Sequence, residues 1–99
     1  MKKIKLIKAK NASDLAEALG LSPADAMEME IRSDLNSKII DVIQKKKLTH
    51  LQVAHLVGSS RTRVTAIMNR NTQHISTDLM LRVLGALGVH ARIKFDRAA

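Results

Sequence analysis

Apolar residues recur at helical spacing through most of this chain, and short polar or glycine-containing segments separate the periodic stretches. The run Ser-Pro-Ala-Asp at residues 22–25 predicts a helix start, because serine caps free N–H groups and proline suits the first helical turn. That helix is expected to reach about Lys46, with an interruption near Ser33 as an alternative. Shorter helices are predicted over residues 14–19, from Thr49 to Gly58, from Ser60 to a polar loop at residues 69–74, and from Ser76 or Thr77 to Leu87.

Four apolar stripes within these helices predict the hydrophobic core. Gly85 lies inside the last of these helices, where glycine costs about 1 kcal/mol relative to alanine, so a close helix contact is expected at this position. The stripes comprise Leu35, Ile39, Ile40 and Ile43, then Val53, Ala54 and Val57, then Val64, Ile67 and Met68, and finally Leu79, Met80, Val83, Leu84 and Leu87.

The spacing within residues 49–70 is typical of a helix-turn-helix. Thr49 and Ser60 are helix caps, Ala54 is small enough for two helices to cross closely, and Gly58 suits a left-handed turn. We therefore expect a mainly α-helical fold, a small helical bundle that contains a helix-turn-helix, and this motif resembles the lambda-repressor type.

The first turn of the motif's second helix contains Arg61, Thr62 and Arg63. Since such helices insert their N-terminal residues into the DNA major groove, these three residues are the candidates for base contacts. Phosphate contacts are expected from Lys47, Thr49, His50, Ser60, Thr65, Asn69 and Arg70. One alternative is a helical hairpin that only mediates protein interaction, and Ser59 favours it because a buried valine or isoleucine is usual there.

The spacing of the apolar residues changes after Gly88 from helical to alternating. Val89, Ala91, Ile93 and Phe95 alternate with polar residues, which predicts a half-buried strand over residues 89–95. Such a strand needs a partner, either residues 3–9 or its copy in a second subunit, and we favour the second subunit. A two-fold homodimer would place two recognition helices about 34–36 Å apart and bind a palindromic operator.

Composition narrows the classes of function. The chain has 99 residues, one phenylalanine as its sole aromatic residue, and no cysteine, so a thiolate metal site is excluded. The four histidines lack zinc-site spacing, and no phosphate loop or nucleophile motif is present. We therefore expect no enzyme activity, no metal and no cofactor. No apolar run is long enough for a bilayer, which predicts no membrane association and a cytoplasmic protein.

The formal net charge of +8 is distributed unevenly. Five lysines lie in residues 1–10, whereas residues 42–77 contain six basic residues and no acidic one. Double-stranded DNA is the expected partner of the second segment. Residues 1–12 are interpreted as a basic arm, which could form a strand, contact DNA or bind a partner, and residues 13–99 as the DNA-binding domain.

The chain also resembles a known family. LGLSPADAME, LT-x4-A-x3-G, RTRV and S-x2-L-x3-L-x2-LG are similar to segments of Xre-type helix-turn-helix regulators, which include HigA-like antitoxins. The likeness covers about residues 14–95. It implies a DNA-binding dimer that represses its own gene, with a toxin protein as a further partner. The Arg63 position usually matches this subgroup, whereas glutamine and proline are frequent at the Arg61 and Thr62 positions.

Overall fold

Four helices make up most of residues 18–97, the part of the chain that this computed structural model describes. They are α1 (Pro23–Lys46), α2 (His50–Val57), α3 (Arg61–Met68) and α4 (Thr77–Ala86). The mainly helical prediction is therefore confirmed. No helix in this described part is long and apolar enough to cross a membrane. The predicted basic arm, and all but the end of the predicted helix at 14–19, lie outside the described residues.

Each helix begins at a hydroxyl side chain that accepts a hydrogen bond from the backbone N–H three residues later. The distances are 3.1 Å at Ser22, 3.1 Å at Thr49, 3.2 Å at Ser60 and 3.0 Å at Ser76. Because the first N–H groups of a helix have no partner within it, these caps fix where each helix starts. All the predicted caps are confirmed, and Ser76 rather than Thr77 caps α4.

The core lies where the four helices meet, and aliphatic side chains fill it. α1 packs on α3 and α4, and α2 packs on the same two helices. All four predicted stripes contribute, although Ile40, Val57 and Met68 are only half-buried. The buried apolar residues are Leu35, Ile39, Val42, Ile43, Val53, Ala54, Val64, Ile67, Ile75, Leu79, Met80, Val83, Leu84 and Leu87.

α1 passes through Ser33 without a break, so the alternative of an interrupted helix is wrong. Ser33 is exposed, and a serine there does not disturb the packing that holds the helix. The expectation for Gly85 is also wrong. This residue lies on the outer face of α4, and a Cβ atom added to it would meet nothing within 4 Å. No close helix contact therefore explains the glycine.

The segment after α4 forms no strand within the described residues. Val89 packs against the core, whereas Ala91, Ile93 and Phe95 are exposed, the last two with 74% and 89% of their surface accessible. A strand requires a neighbouring strand, and the described part of the chain places none beside residues 89–95. The Val89 N–H instead donates to the Leu84 carbonyl near the end of α4 at 3.0 Å. Residues 3–9, the alternative pairing partner, lie outside the described range. The strand stays a prediction about an assembly.

Candidate nucleic-acid interface

α2, α3 and the turn between them form the predicted helix-turn-helix. Gly58 ends α2 in the left-handed conformation, with φ 73° and ψ 38°, where a Cβ atom would be strained. The N–H groups of Gly58 and Ser59 both donate to the carbonyl of Ala54, each at 2.9 Å. These two hydrogen bonds to one carbonyl close the turn and set the direction in which α3 crosses α2. Ala54 is buried at the crossing, as its small size predicts.

The two faces of α3 differ sharply in exposure. Val64 and Ile67 are each 1% exposed and hold the inner face in the core. Arg61, Thr62 and Arg63 are exposed, so the first turn projects a polar, doubly cationic surface into solvent. Because residues 42–77 contain no acidic side chain, no carboxylate within this segment neutralises that surface. The arrangement suits DNA, a polyanion whose base edges are exposed in the major groove.

Two of the predicted phosphate contacts lie against each other. Nδ1 of His50, the first residue of α2, is 2.8 Å from Oγ1 of Thr65 in the middle of α3. Thr49, the cap of α2, is held by a reciprocal bond in which its N–H donates to Gln52 Oε1 at 2.8 Å. The start of α2 is therefore fixed both internally and against α3. Nothing in the spacing of the sequence indicates that His50 and Thr65 are partners.

The other predicted contact residues lie at helix ends. Lys47 follows α1 in the left-handed conformation, Ser60 caps α3, and Asn69 ends it, all three exposed. Arg70 also has a positive φ, of 58°, and its guanidinium donates to Ser37 Oγ on α1 at 3.2 Å. One of its amino groups is thus directed at α1. Contact of these residues with DNA stays a prediction.

Two residues of α1 support this interface and were not identified from the sequence. Asn36 is buried, and its amide donates to the carbonyl of Ile67 at the end of α3 over 2.8 Å. Arg32 donates to the carbonyls of Thr72 and Ile75 at 2.7 and 2.6 Å, and to Thr77 Oγ1 at 2.9 Å. Together they hold the end of α3 and the loop after it. The one sequence feature that could have indicated this supporting role is the polar Asn36 among the apolar residues of the first stripe.

Ser59, which departs from the usual apolar residue, is half-buried in the turn. Its hydroxyl oxygen is buried, and among the described residues it has no hydrogen-bond partner. Burying a hydroxyl without a partner costs free energy. We therefore expect the domain to be less stable with Ser59 than with an apolar side chain at this position. The turn forms despite that cost because Gly58 and the Ala54 carbonyl determine its geometry.

Two helices joined by a left-handed glycine turn, with a cationic first turn exposed on the second helix, define the helix-turn-helix class of DNA-binding domain. A family model described as a helix-turn-helix domain matches residues 17–96, which include all four described helices. The chain belongs to this family. No curated protein and no solved structure matches it.

Proposed function

We propose that the protein is a sequence-specific DNA-binding transcriptional regulator that represses its own gene as a dimer. The observation that carries this is the first turn of α3, where Arg61, Thr62 and Arg63 are exposed while Val64 and Ile67 hold the helix in the core. A helix held on one face and cationic at its exposed start is what docking in a major groove requires.

In this proposal the contacts divide into two kinds. Arg63 and Arg61 bond to guanine edges, since an arginine fork matches O6 and N7 and discriminates against a wrong base by about 1–3 kcal/mol. The residues around the start of α2 and the end of α3 bind phosphates and set the register. Phosphate contacts by lysine and arginine give most of the affinity and a steep dependence on salt.

The test is the binding of purified protein to a fluorescent duplex taken from upstream of its own gene, with a scrambled duplex as control. We expect tight binding that prefers the upstream duplex and persists at physiological salt. Equal, weak binding to both duplexes that disappears with salt would contradict sequence-specific regulation. It would support the alternative of an interaction module that does not read DNA.

The dimer part of the proposal depends on the segment after α4. Ile93 and Phe95 are the most exposed large apolar residues among those described, and they alternate with polar residues. Pairing two copies of this segment would supply the missing backbone hydrogen bonds and cover both side chains. Ile93→Lys should shift the protein from dimer to monomer at micromolar concentration and weaken operator binding. An unchanged size and affinity would exclude this interface.

A second candidate function is that of an antitoxin, which would bind a toxin protein in addition to DNA. The first half of α1 favours it. Within residues 23–34 no side chain is buried, while Met27 and Ile31, one helical turn apart, are 59% and 44% exposed. Acidic residues accompany this apolar pair, namely Asp25, Glu28, Glu30 and Asp34. Apolar residues with acidic neighbours suit a basic protein partner.

Co-expression with the product of an adjacent short reading frame tests the antitoxin role. We expect the two proteins to co-purify, and the double change Met27→Ser and Ile31→Ser to abolish that complex without affecting DNA binding. Leu81→Ser is the matched control, because Leu81 is 47% exposed but lies on α4. Loss of the complex with Leu81→Ser alone, or no complex with the original chain, would contradict this candidate.

A further inference from the structure

We propose that the basic arm, residues 1–10, binds to one face of α1 in the same chain. The face consists of four exposed residues, which we call the acidic face of α1: Met27, Glu30, Ile31 and Asp34. Each of the four lies three or four positions from two of the others, so their side chains are neighbours on the helix surface. The buried residues of α1 begin only at Leu35, so the described chain leaves this face open.

No cation within the described residues pairs with the two carboxylates of this face. Glu30 and Asp34 are four positions apart, and like charges at that spacing destabilise a helix. Arg32 is the sole basic residue of residues 23–34, and its guanidinium donates instead to backbone carbonyls at 2.7 and 2.6 Å. The ion pairs of the described residues lie elsewhere, at Asp41–Lys45 and Asp78–Arg82. A cation from outside the described part of the chain would therefore stabilise the start of α1.

The arm contains both kinds of group that would cover this face. Residues 1–10 include five lysines and no acidic residue, and three large aliphatic residues lie among the lysines, namely Ile4, Leu6 and Ile7. The lysines are complementary to the two carboxylates. The aliphatic side chains can cover Met27 and Ile31, which are 59% and 44% exposed.

A second exposed apolar pair shows that charge selects the face. Leu51 and Leu56 on α2 are 55% and 56% exposed and line an open groove, so they offer an apolar surface like that of Met27 and Ile31. Residues 42–77, however, contain six basic residues and no acidic one. A lysine-rich segment is repelled there and attracted to α1, because like charges repel and opposite charges attract.

The connecting segment is long enough for the arm of the same chain to reach. Residues 11–17 can span up to about 23–25 Å. The first half of α1, residues 23–34, is only about 18 Å long. A short tether gives an effective concentration on the order of millimolar, so the chain's own arm is favoured over that of a second copy. A basic protein partner, the occupant considered for the antitoxin candidate, would have to displace the arm.

The experiment uses the full chain with one spin label. The sequence contains no cysteine, so Ala9→Cys allows labelling of the arm at a single position. We expect the amide NMR signals of residues 27–34 to lose most of their intensity, while those of residues 51–56 on α2 are retained. High salt should restore the α1 signals, because exposed charge pairs are screened. In a mixture of spin-labelled chain and isotope-labelled chain without the spin label, no loss is expected.

Two further variants of the labelled chain test the role of charge. Glu30→Gln with Asp34→Asn should restore the α1 signals, because the carboxylates are removed at nearly constant size. Asp78→Asn, which removes an exposed carboxylate from α4, is the matched control and should leave the signal loss unchanged.

Three outcomes would overturn the inference. They are α1 signals that keep their intensity in the labelled original chain, equal losses on α1 and α2, and a loss that persists in the double variant. Signal loss in the mixed sample would assign the face to a second copy and overturn binding within one chain. The measurement contains neither DNA nor a protein partner, so its failure is separate from failure of the proposed function.

Discussion

The helix-turn-helix and the segment after α4 contain similar apolar side chains in very different surroundings. Ile67 in α3 is 1% exposed and lies in a core built by all four helices, whereas Ile93 is 74% exposed. Both belong to regular apolar patterns in the sequence, one with a helical period and one alternating. The difference shows that a regular apolar pattern does not by itself determine whether a side chain is buried within its own chain.

The largest difference between these regions should appear when the same substitution is made in each. Ile67→Ala should lower the free energy of unfolding by about 3 kcal/mol, because it removes buried methylene groups and leaves a cavity in a packed core. Ile93→Ala should change it by less than about 0.5 kcal/mol in dilute protein, where each chain is alone. Chemical denaturation of both variants at low concentration gives the two values directly.

Protein concentration then sharpens the comparison. If a second subunit covers Ile93, the cost of Ile93→Ala should grow as concentration rises, since association stabilises the folded state by mass action. The cost of Ile67→Ala should show no such growth. A concentration-independent effect at Ile93 would mean that the two regions differ only in burial within one chain.

The next largest effect is expected at Arg32, which ties the loop after the motif to α1. Arg32→Ala should cost about 2–3 kcal/mol of stability, because it removes charge-assisted hydrogen bonds to Thr72, Ile75 and Thr77. Arg32→Lys should recover only part of this, since an ammonium group lacks the planar fork. Thermal unfolding measures both variants, and Lys38→Ala, an exposed change on the same helix, is the control. Equal stability of Arg32→Ala and Lys38→Ala would show that these bonds contribute nothing.

Local patterns in the sequence predicted the helices well because the determinants of helix ends are local. Ser22, Thr49 and Ser60 act within three residues of their own position, and Gly58 sets its own backbone angle. Arg32 bonds to residues about 40 positions away, and a single sequence contains no local signal of that kind. The same limit applies to the predicted strand at residues 89–95. Its predicted partner, a second subunit or residues 3–9, lies outside the described residues.

DNA affinity gives the third comparison, between arginines of the motif and arginines elsewhere. Arg63→Ala should weaken binding to the upstream duplex by about 1–3 kcal/mol and relax base preference at one position. Arg82→Ala, on the exposed face of α4, should have a much smaller effect, because Arg82 lies outside the motif. Fluorescence anisotropy on upstream and scrambled duplexes separates the possibilities. Equal losses on both duplexes would make Arg63 a phosphate contact.

The candidate interface was predictable only in part. The sequence indicated that Arg61 and Arg63 begin the second helix, and the structure leaves both exposed. It did not indicate that His50 and Thr65 contact each other, since they are 15 residues apart on different helices. Nor did it indicate that Arg70, a predicted phosphate contact, donates to Ser37 on α1. Side-chain partners across helices depend on packing geometry, which periodicity does not specify.

The smallest effect compares two adjacent serines in the turn of the motif. Ser59→Ala should raise the free energy of unfolding by about 0.5–1 kcal/mol, because the buried hydroxyl it removes has no partner in the described structure. Ser60→Ala should lower it by about 1 kcal/mol, because that hydroxyl accepts the Arg63 N–H at 3.2 Å and caps α3. The same chemical change at neighbouring positions is thus expected to have opposite signs in urea denaturation. A loss of stability at both positions would mean that the Ser59 hydroxyl has a hydrogen-bond partner in solution, such as a bound water molecule. The turn would then contain no unpaired buried hydroxyl at this position.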